Sequence, residues 1–388
     1  MTNFNNYDYV IVGCGLSGAV AARILAERGN KVIILEKRNH IGGNMYDYVD
    51  KNGILVQQYG PHTFHTIKKE LYDYMRQYEE WEEYKLMVMA EINGVQTPSP
   101  FNFKTIDQFY DEDEATKIKE ALLEEYPNQK KTTIVTMLES KNEYIKKFAD
   151  FLYDNDYKLY TAKQWRVDPE RIDKSILRRV PIVLGYEEGY FDDEYQVMPK
   201  HSFTKFFENL LNHENIDYQL NCNALDYLEI IDDRIIIKNI DKVINVVYTG
   251  PIDELFNFKY GKLPYRSLEF EWEYIDKPSY QEAAVVQYPQ DEVYTRMTEY
   301  TKIPYQDRND TVIAKEKSVD YDGDNEPYYP VLTDESLEMY RNYKEKANTI
   351  INLILVGRLA DFRYYNMDQA LESVLKKVYF KEEHGINK

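Results

Sequence analysis

Three glycines near the start of the chain, Gly13, Gly15 and Gly18, stand in the spacing G-x-G-x-x-G, and Glu36 closes the segment YDYVIVGCGLSGAVAARILAERGNKVIILE that contains them. The chemistry this serves is pyrophosphate binding. Gly13 permits a tight strand-to-helix turn, Gly15 lets backbone approach the phosphates, and Gly18 lets the helix pack on the strand. The helix N-terminus then presents unpaired N–H groups and a positive dipole end to the anion. Glu36 accepts from ribose hydroxyls and would repel a 2′-phosphate. These residues must be carried by particular elements, and the text supplies them. An apolar run Val10–Val12 precedes the glycines. A helix-like stretch from Ala19 to Arg28 stops at Gly29 and Asn30, and a second apolar run spans Val32–Leu35. A glycine-rich turn of no consequence would explain the triplet alone. It does not explain strand, helix, strand and acid in register, so the segment predicts a flavin or other dinucleotide. Ser17 and Lys37 join it as expected cofactor contacts.

A second glycine pair in IGGNMYDY (41–48) allows another close backbone approach, which adds Gly43 and Asn44 to the cofactor contacts. In QYGPHTFHT (58–66) Gly60 and Pro61 mark a turn.

The 388 residues exceed the size at which one core keeps growing, so two or three domains are expected. No run of about 18 apolar residues occurs, so no membrane span is expected. The chain enters its first strand almost at once, which leaves no room for a signal peptide. Two cysteines, Cys14 and Cys222, exclude a disulfide framework and fit a reducing cytoplasm. No His/Cys cluster has zinc-ligand spacing, so no metal is expected. A net charge of −19 argues against nucleic acid as a partner. It also means that an anionic substrate needs a local basic site. The 37 tyrosines are mostly packing residues, but their hydroxyls also bind phosphate without adding charge.

Along the chain, residues 67–85 read as an amphipathic helix and 86–95 as alternation ending in an Asn93-Gly94 hairpin signal. Residues 106–149 read as helical, 157–204 as loops and short strands, 203–213 as a helix, and 217–249 as strands. Residues 264–320 alternate as in an antiparallel sheet, and a strand, a glycine turn and a final helix end the chain. The expected class is α/β: a discontinuous cofactor-binding Rossmann-like domain (1–85, 200–250 and 345–388), an inserted helical domain (104–170) and an antiparallel β-sheet domain (86–103, 171–199 and 251–344).

Ten blocks now stand in order: GCGLSG, IGGNMYD, YGPHTFHT, YTAKQW, YFDDEYQVMP, VYTGPIDELF, PYRSLEFE, VYTRMTEY, EPYYPV and VGRLADFRYYNMD. From about residue 7 to about residue 380 they resemble the bacterial UDP-galactopyranose mutases. The resemblance implies FAD, active when reduced, and an isomerisation without net redox change. In the implied mechanism N5 of the flavin attacks the anomeric carbon of a UDP-sugar and displaces the nucleoside diphosphate; the adduct opens, the sugar O4 closes onto the anomeric carbon, and the returning diphosphate releases the furanose from N5. A cellular reductant, a homodimer and a role in cell-surface polysaccharide synthesis are implied with it. Residue roles follow the motifs. Arg296 resembles the arginine that stabilises diphosphate, with a planar donor fork suited to phosphate. Trp165 resembles a tryptophan stacked near uridine and sugar, and Tyr195 and Tyr364 resemble phosphate donors. Asn102 and Thr161 resemble polar residues of the nucleotide and sugar pocket. Gly357, Arg358 and Met367 resemble the second cofactor-binding turn. The resemblance also implies Tyr59 and His62 beside the flavin; a lone histidine is more often structural, but in this family-like context His62 and His65, flanking Phe64, are expected as a catalytic pair.

Three departures bear on the substrate. Val183 stands where the family has a loop arginine, a loss of about 1.5–3 kcal/mol or roughly tenfold to a hundredfold in binding. Arg178 and Arg179 lie nearby with different spacing. Lys317 replaces a phosphate-binding tyrosine, and Asn366 replaces an aspartate near substrate and flavin. The same chemistry on dTDP-fucopyranose or UDP-N-acetylgalactosamine is therefore an alternative. A flavin oxidoreductase of the amine-oxidase type and a non-catalytic flavoprotein are the readings from other classes.

Overall fold

The computed structural model describes residues 3–165 and 180–384. Strand β1 (Tyr9–Val12), helix α1 (Leu16–Glu27) and strand β2 (Val32–Leu35) open the chain. Both strands are short apolar runs covered on both faces, which suits a parallel sheet. That sheet has five strands in the order Ile216–Gln219, β2, β1, Asn245–Tyr248 and Leu353–Leu355, all parallel. Distant stretches of sequence thus build one layer. Helix α1 starts before the expected Ala19 because the glycine turn already ends at Gly15, its N-cap. A Cβ on Gly18 would lie 1.9 Å from the Gly13 carbonyl oxygen, so only glycine lets helix and turn close.

The second large sheet has seven strands: Tyr329–Pro330, Tyr265–Ile275, Thr311–Asp320, Arg296–Glu299, Val285–Gln287, Val88–Ile92 and Val95–Pro98. It departs from the expected antiparallel pattern at one place, where Val285–Gln287 runs parallel to Val88–Ile92. Those two strands come from distant parts of the chain, so no hairpin fixes their sense. Helices Phe103–Phe109, Glu112–Glu125, Ile134–Leu138 and Glu143–Leu152 form a separate apolar cluster. Each is capped by a side chain that accepts from its first turn: Asn102, Asp111, Thr133 and Asn142. A π-helical turn, Tyr153–Tyr157, leads into helix Lys158–Trp165, where loops were expected.

The helix expected over 67–85 is confined to Lys69–Met75. The chain then turns into strand Trp81–Glu83, which pairs with Tyr195–Pro199. Trp81 packs against Phe64, Phe203 and Phe206, so tertiary packing overrides the local periodicity. Helix Asp334–Asn348, held by a Thr333/Ser336 capping box, was not anticipated. No helix among the described residues is long and apolar enough to cross a membrane.

Asp253 packs beneath Tyr265–Ile275. Its Oδ2 accepts from the Leu263 N–H at 2.9 Å, while Oδ1 and the Tyr265 hydroxyl lack hydrogen-bond partners. Burial pushes this carboxyl up to about 6, with the Leu263 bond opposing. The folded pKa exceeds the unfolded value of about 4, so the group costs stability as pH rises through that window, in full above it. Asp253→Asn should therefore stabilise the protein by about 1–2 kcal/mol at pH 8 and leave it unchanged near pH 4. Urea denaturation at the two pH values checks this; equal shifts at both would remove the charge as the cause.

Candidate active site

Two cavities meet at His62. One, of about 1240 Å³, opens at the ends of β1 and β2; the other, of about 2240 Å³, lies between the seven-stranded sheet and helix Lys158–Trp165. His62, Tyr328, Arg358, Asn366 and Met367 line both.

The first cavity is walled by backbone. Gly13 (φ +93°), Gly43 (φ +57°) and Gly357 (φ +97°) all adopt conformations that favour glycine. A Cβ on Gly43 would lie 2.8 Å from Gly15 Cα, and one on Gly357 would lie 3.0 Å from Ser17 Oγ. Side chains would fill the cradle; glycines leave it to N–H groups and the α1 N-terminus. Glu36 sits at the far end, buried, accepting from the Cys14 N–H at 2.7 Å and the Arg38 N–H at 2.9 Å. The anion holds itself in place there without a cationic side chain. Arg38, which sequence reasoning missed although it follows Glu36 closely, donates to Asn44 and Glu326, and Lys37 lies 3.3 Å from Glu326. This cradle fits a dinucleotide with an unphosphorylated ribose, and FAD is such a group. Tyr59 is not part of this cavity. It lines the second one, its hydroxyl 2.7 Å from His40 Nε2 and its ring 4.3 Å from the Arg38 guanidinium.

Arg296 lines the second cavity from strand Arg296–Glu299, its Nε 2.7 Å from the buried Glu316 carboxylate. Burial opposes its charge most strongly, but Glu316, Tyr329 and Tyr160 together outweigh it and hold its pKa well above the usual value. His62 donates from Nδ1 to the Gly60 carbonyl at 2.8 Å, which leaves Nε2 as an acceptor. Burial pushes its imidazole down to about 4; the Gly60 bond opposes the shift, and Arg358 and Arg296 add to it. His62 is thus neutral at physiological pH. His65 faces the same cleft, stacked on Phe191 at 3.6 Å and 3.0 Å from Asp193. Arg358 donates to the carbonyls of Tyr328 and Tyr365 and lies over the rings of Tyr329 and Tyr364, which stack at 5.2 Å.

Other expected contacts fall elsewhere. Lys317 points to the opposite face of its strand, paired with Glu271 and 5.3 Å from the Tyr294 ring. Strand alternation places Glu316 and Ser318 inward and Lys317 outward. Asn102 is fully buried and fully used as a helix cap, accepting from Lys104 N–H and donating to the Glu187 carbonyl. Tyr195 stacks on Tyr72 at 4.8 Å, outside the cleft. The cleft tyrosine of that block is Tyr190. Thr161 is buried on helix Lys158–Trp165, whose cleft-facing residues are Tyr160 and Gln164, one turn apart. Tyr329 is a further cleft tyrosine that sequence reasoning passed over, although it stands in the quoted block EPYYPV. Asn366 faces both cavities. Val183 is buried in strand Pro181–Val183; Pro181 of that strand lines the cleft, and Val183 does not. The Trp165 side chain, Arg178 and Arg179 lie outside the described residues.

A cradle for pyrophosphate opening onto a guanidinium and a ring of phenols defines a dinucleotide-dependent enzyme acting on an anionic substrate. Comparison with known proteins makes this specific. Residues 11–78 match the NAD(P)-binding Rossmann-like domain, and residues 155–364 match the UDP-galactopyranose mutase family. The chain belongs to the UDP-galactopyranose mutase family. It is 33% identical to the UDP-galactopyranose mutase of Mycoplasma pneumoniae over 384 residues, 97% of this chain and 96% of that one. It is also 33% identical to the dTDP-fucopyranose mutase of Escherichia coli over 379 residues, 96% of this chain and 98% of that one. The crystal structure of a reduced UDP-galactopyranose mutase superimposes with a TM-score of 0.70 at 16% identity, covering 98% of this chain and 94% of that one, a likeness of fold.

Tyr190→Phe should raise KM about tenfold, the value of a lost hydrogen bond to a charged group. Tyr195→Phe should leave KM unchanged. Steady-state kinetics on the two variants checks the assignment, and the reverse ranking would refute it.

Proposed function

We propose that this protein interconverts UDP-galactopyranose and UDP-galactofuranose with FAD as its cofactor. Bound and reduced, FAD supplies a nucleophilic nitrogen, N5, for covalent chemistry at the anomeric carbon. Gly13, Gly15, Gly43 and Gly357 would hold its pyrophosphate with backbone, and Glu36 its ribose. The observation that carries the reading is the placement of Arg296 and Arg358 around His62, where the two cavities join. Arg296, fixed through Nε by Glu316, offers its remaining donors to a diphosphate. Arg358 bonds only backbone carbonyls among the described residues, so no carboxylate cancels its charge. Tyr160, Tyr190 and Tyr329 stay protonated, because burial raises each phenol, Tyr329 to about 12. They donate to phosphate without titrating near neutrality. Neutral His62 keeps an acceptor beside the sugar without adding charge. In this reading the enzyme is a cytoplasmic homodimer served by a cellular reductant and acts in cell-surface polysaccharide synthesis.

A second reading keeps the chemistry and changes the sugar nucleotide. Val183 lies in a strand rather than at the cleft, and Asn366 offers a carboxamide to both cavities. A dTDP-fucopyranose mutase among the relatives supports it.

Dithionite-reduced protein, kept anaerobic, should convert UDP-galactopyranose to the furanose, seen by chromatography. Turnover of dTDP-fucopyranose with none of UDP-galactopyranose would establish the second reading. Substrate-dependent oxygen uptake by the oxidised protein, assayed without dithionite, would point to an oxidase instead. Arg296→Ala should lower kcat/KM at least about a hundredfold, with FAD content unchanged; retained activity would take Arg296 out of the site.

A further inference from the structure

Helix Lys158–Trp165 reaches the cleft through Tyr160 and Gln164, yet the roles above leave Lys163 unexplained. Its ammonium is partly buried and donates to the backbone carbonyls of Tyr288 at 2.6 Å and Tyr294 at 2.8 Å. Those carbonyls flank the hairpin that joins Val285–Gln287 to Arg296–Glu299, a hairpin closed by the Tyr288 N–H on the Thr295 carbonyl at 2.9 Å. Next to it, Ser318 Oγ donates to the Gln164 carbonyl at 2.8 Å, from the strand that carries Glu316. The cleft helix is therefore tied on one side to the segment entering Arg296 and on the other to the strand holding its carboxylate partner.

A lysine is a costly way to make that tie. Burial lowers the Lys163 pKa, and no carboxylate among the described residues forms an ion pair with it. Asp291, on the hairpin that Lys163 grips, opposes this shift and favours the charged ammonium.

We propose that Lys163 is a positioning residue that sets the spacing between the cleft helix and Arg296: its ammonium, held by two carbonyls of the hairpin, keeps Tyr160 and Gln164 in place against Arg296. The kinetic form of this inference rests on the UDP-sugar reading above.

The test uses the full-length, FAD-loaded enzyme. Lys163→Met should raise KM for UDP-galactopyranose about tenfold or more, with kcat within about threefold and flavin content unchanged. Lys163→Arg, which can still donate to both carbonyls, should recover most of the loss, a rescue that a purely packing role would not give. Wild-type KM in Lys163→Met, or no recovery in Lys163→Arg, overturns the proposal; the second variant decides if the first does not fold. Absence of wild-type turnover would defeat the substrate reading alone. The tie is then judged by hydrogen exchange over residues 158–165, which should quicken in Lys163→Met while β1 and β2 stay protected. Unchanged exchange there overturns it.

Discussion

The contact between Arg296 and Glu316 is the constraint around which the cleft is arranged. A chain of net charge −19 must present a positive centre to a diphosphate, and a long cation left to itself would find one of many surface carboxylates. Glu316 prevents this by taking one donor, Nε, at 2.7 Å from within the sheet. Such a pair is weak evidence for stability, since two buried charges give up their hydration. Its value is geometric. It fixes the guanidinium plane, and the seven-stranded sheet fixes Glu316 in turn, because Glu316 alternates inward with Ser318 along Thr311–Asp320. Everything else in the cleft is arranged around that fixed plane.

Besides Arg296, Arg358 held by backbone carbonyls, and Arg266 paired with Asp320, the donors are neutral, and this follows from the same electrostatics. A further cation paired with a buried carboxylate would return negative charge to the substrate's side of the cleft. Phenols avoid that exchange. Burial raises Tyr160, Tyr190 and Tyr329 away from neutrality, so they remain O–H donors across physiological pH. His62 follows the opposite course to the same end: burial and two guanidinium groups keep it uncharged. The high tyrosine content is thus useful chemistry in an acidic protein as well as packing.

The fold was legible in the sequence wherever local pattern and tertiary structure agree. β1, α1 and β2 appear where glycine spacing and apolar runs put them, and the Asn93-Gly94 hairpin forms with both residues at positive φ. The pattern misled where a neighbour decides. Nothing within residues 67–85 announces that Trp81 belongs to an aromatic cluster with Phe203 and Phe206 and must leave the helix to reach it. In the site, block identity located the right segments but not the right side chains. Lys317 and Tyr195 lie in correct segments and point the wrong way. For Lys317 the signal was present, since period-two alternation from Glu316 assigns it to the other face. For Asn102 it was also present: an asparagine before a helical run, with Thr105 in its first turn, reads as a cap. Arg38 carried no such signal, because Glu326, its partner, is remote in sequence.

Cofactor and substrate cavities share His62, Tyr328, Arg358, Asn366 and Met367. Two of these, Arg358 and Asn366, lie on the segment between strand Leu353–Leu355 and the final helix, Met367–His384, which Met367 itself opens, so one connection serves both cavities. That segment is not free to adjust to either occupant alone. Asp361, buried, accepts from the Lys377 ammonium, which also donates to the Leu355 carbonyl, so the final helix anchors the connection from behind. A change in the cofactor that moves Gly357 must therefore move Arg358 and Asn366 as well. An exchange such as aspartate to asparagine at 366 consequently acts on two cavities at once, because the same side chain alters the charge presented to each.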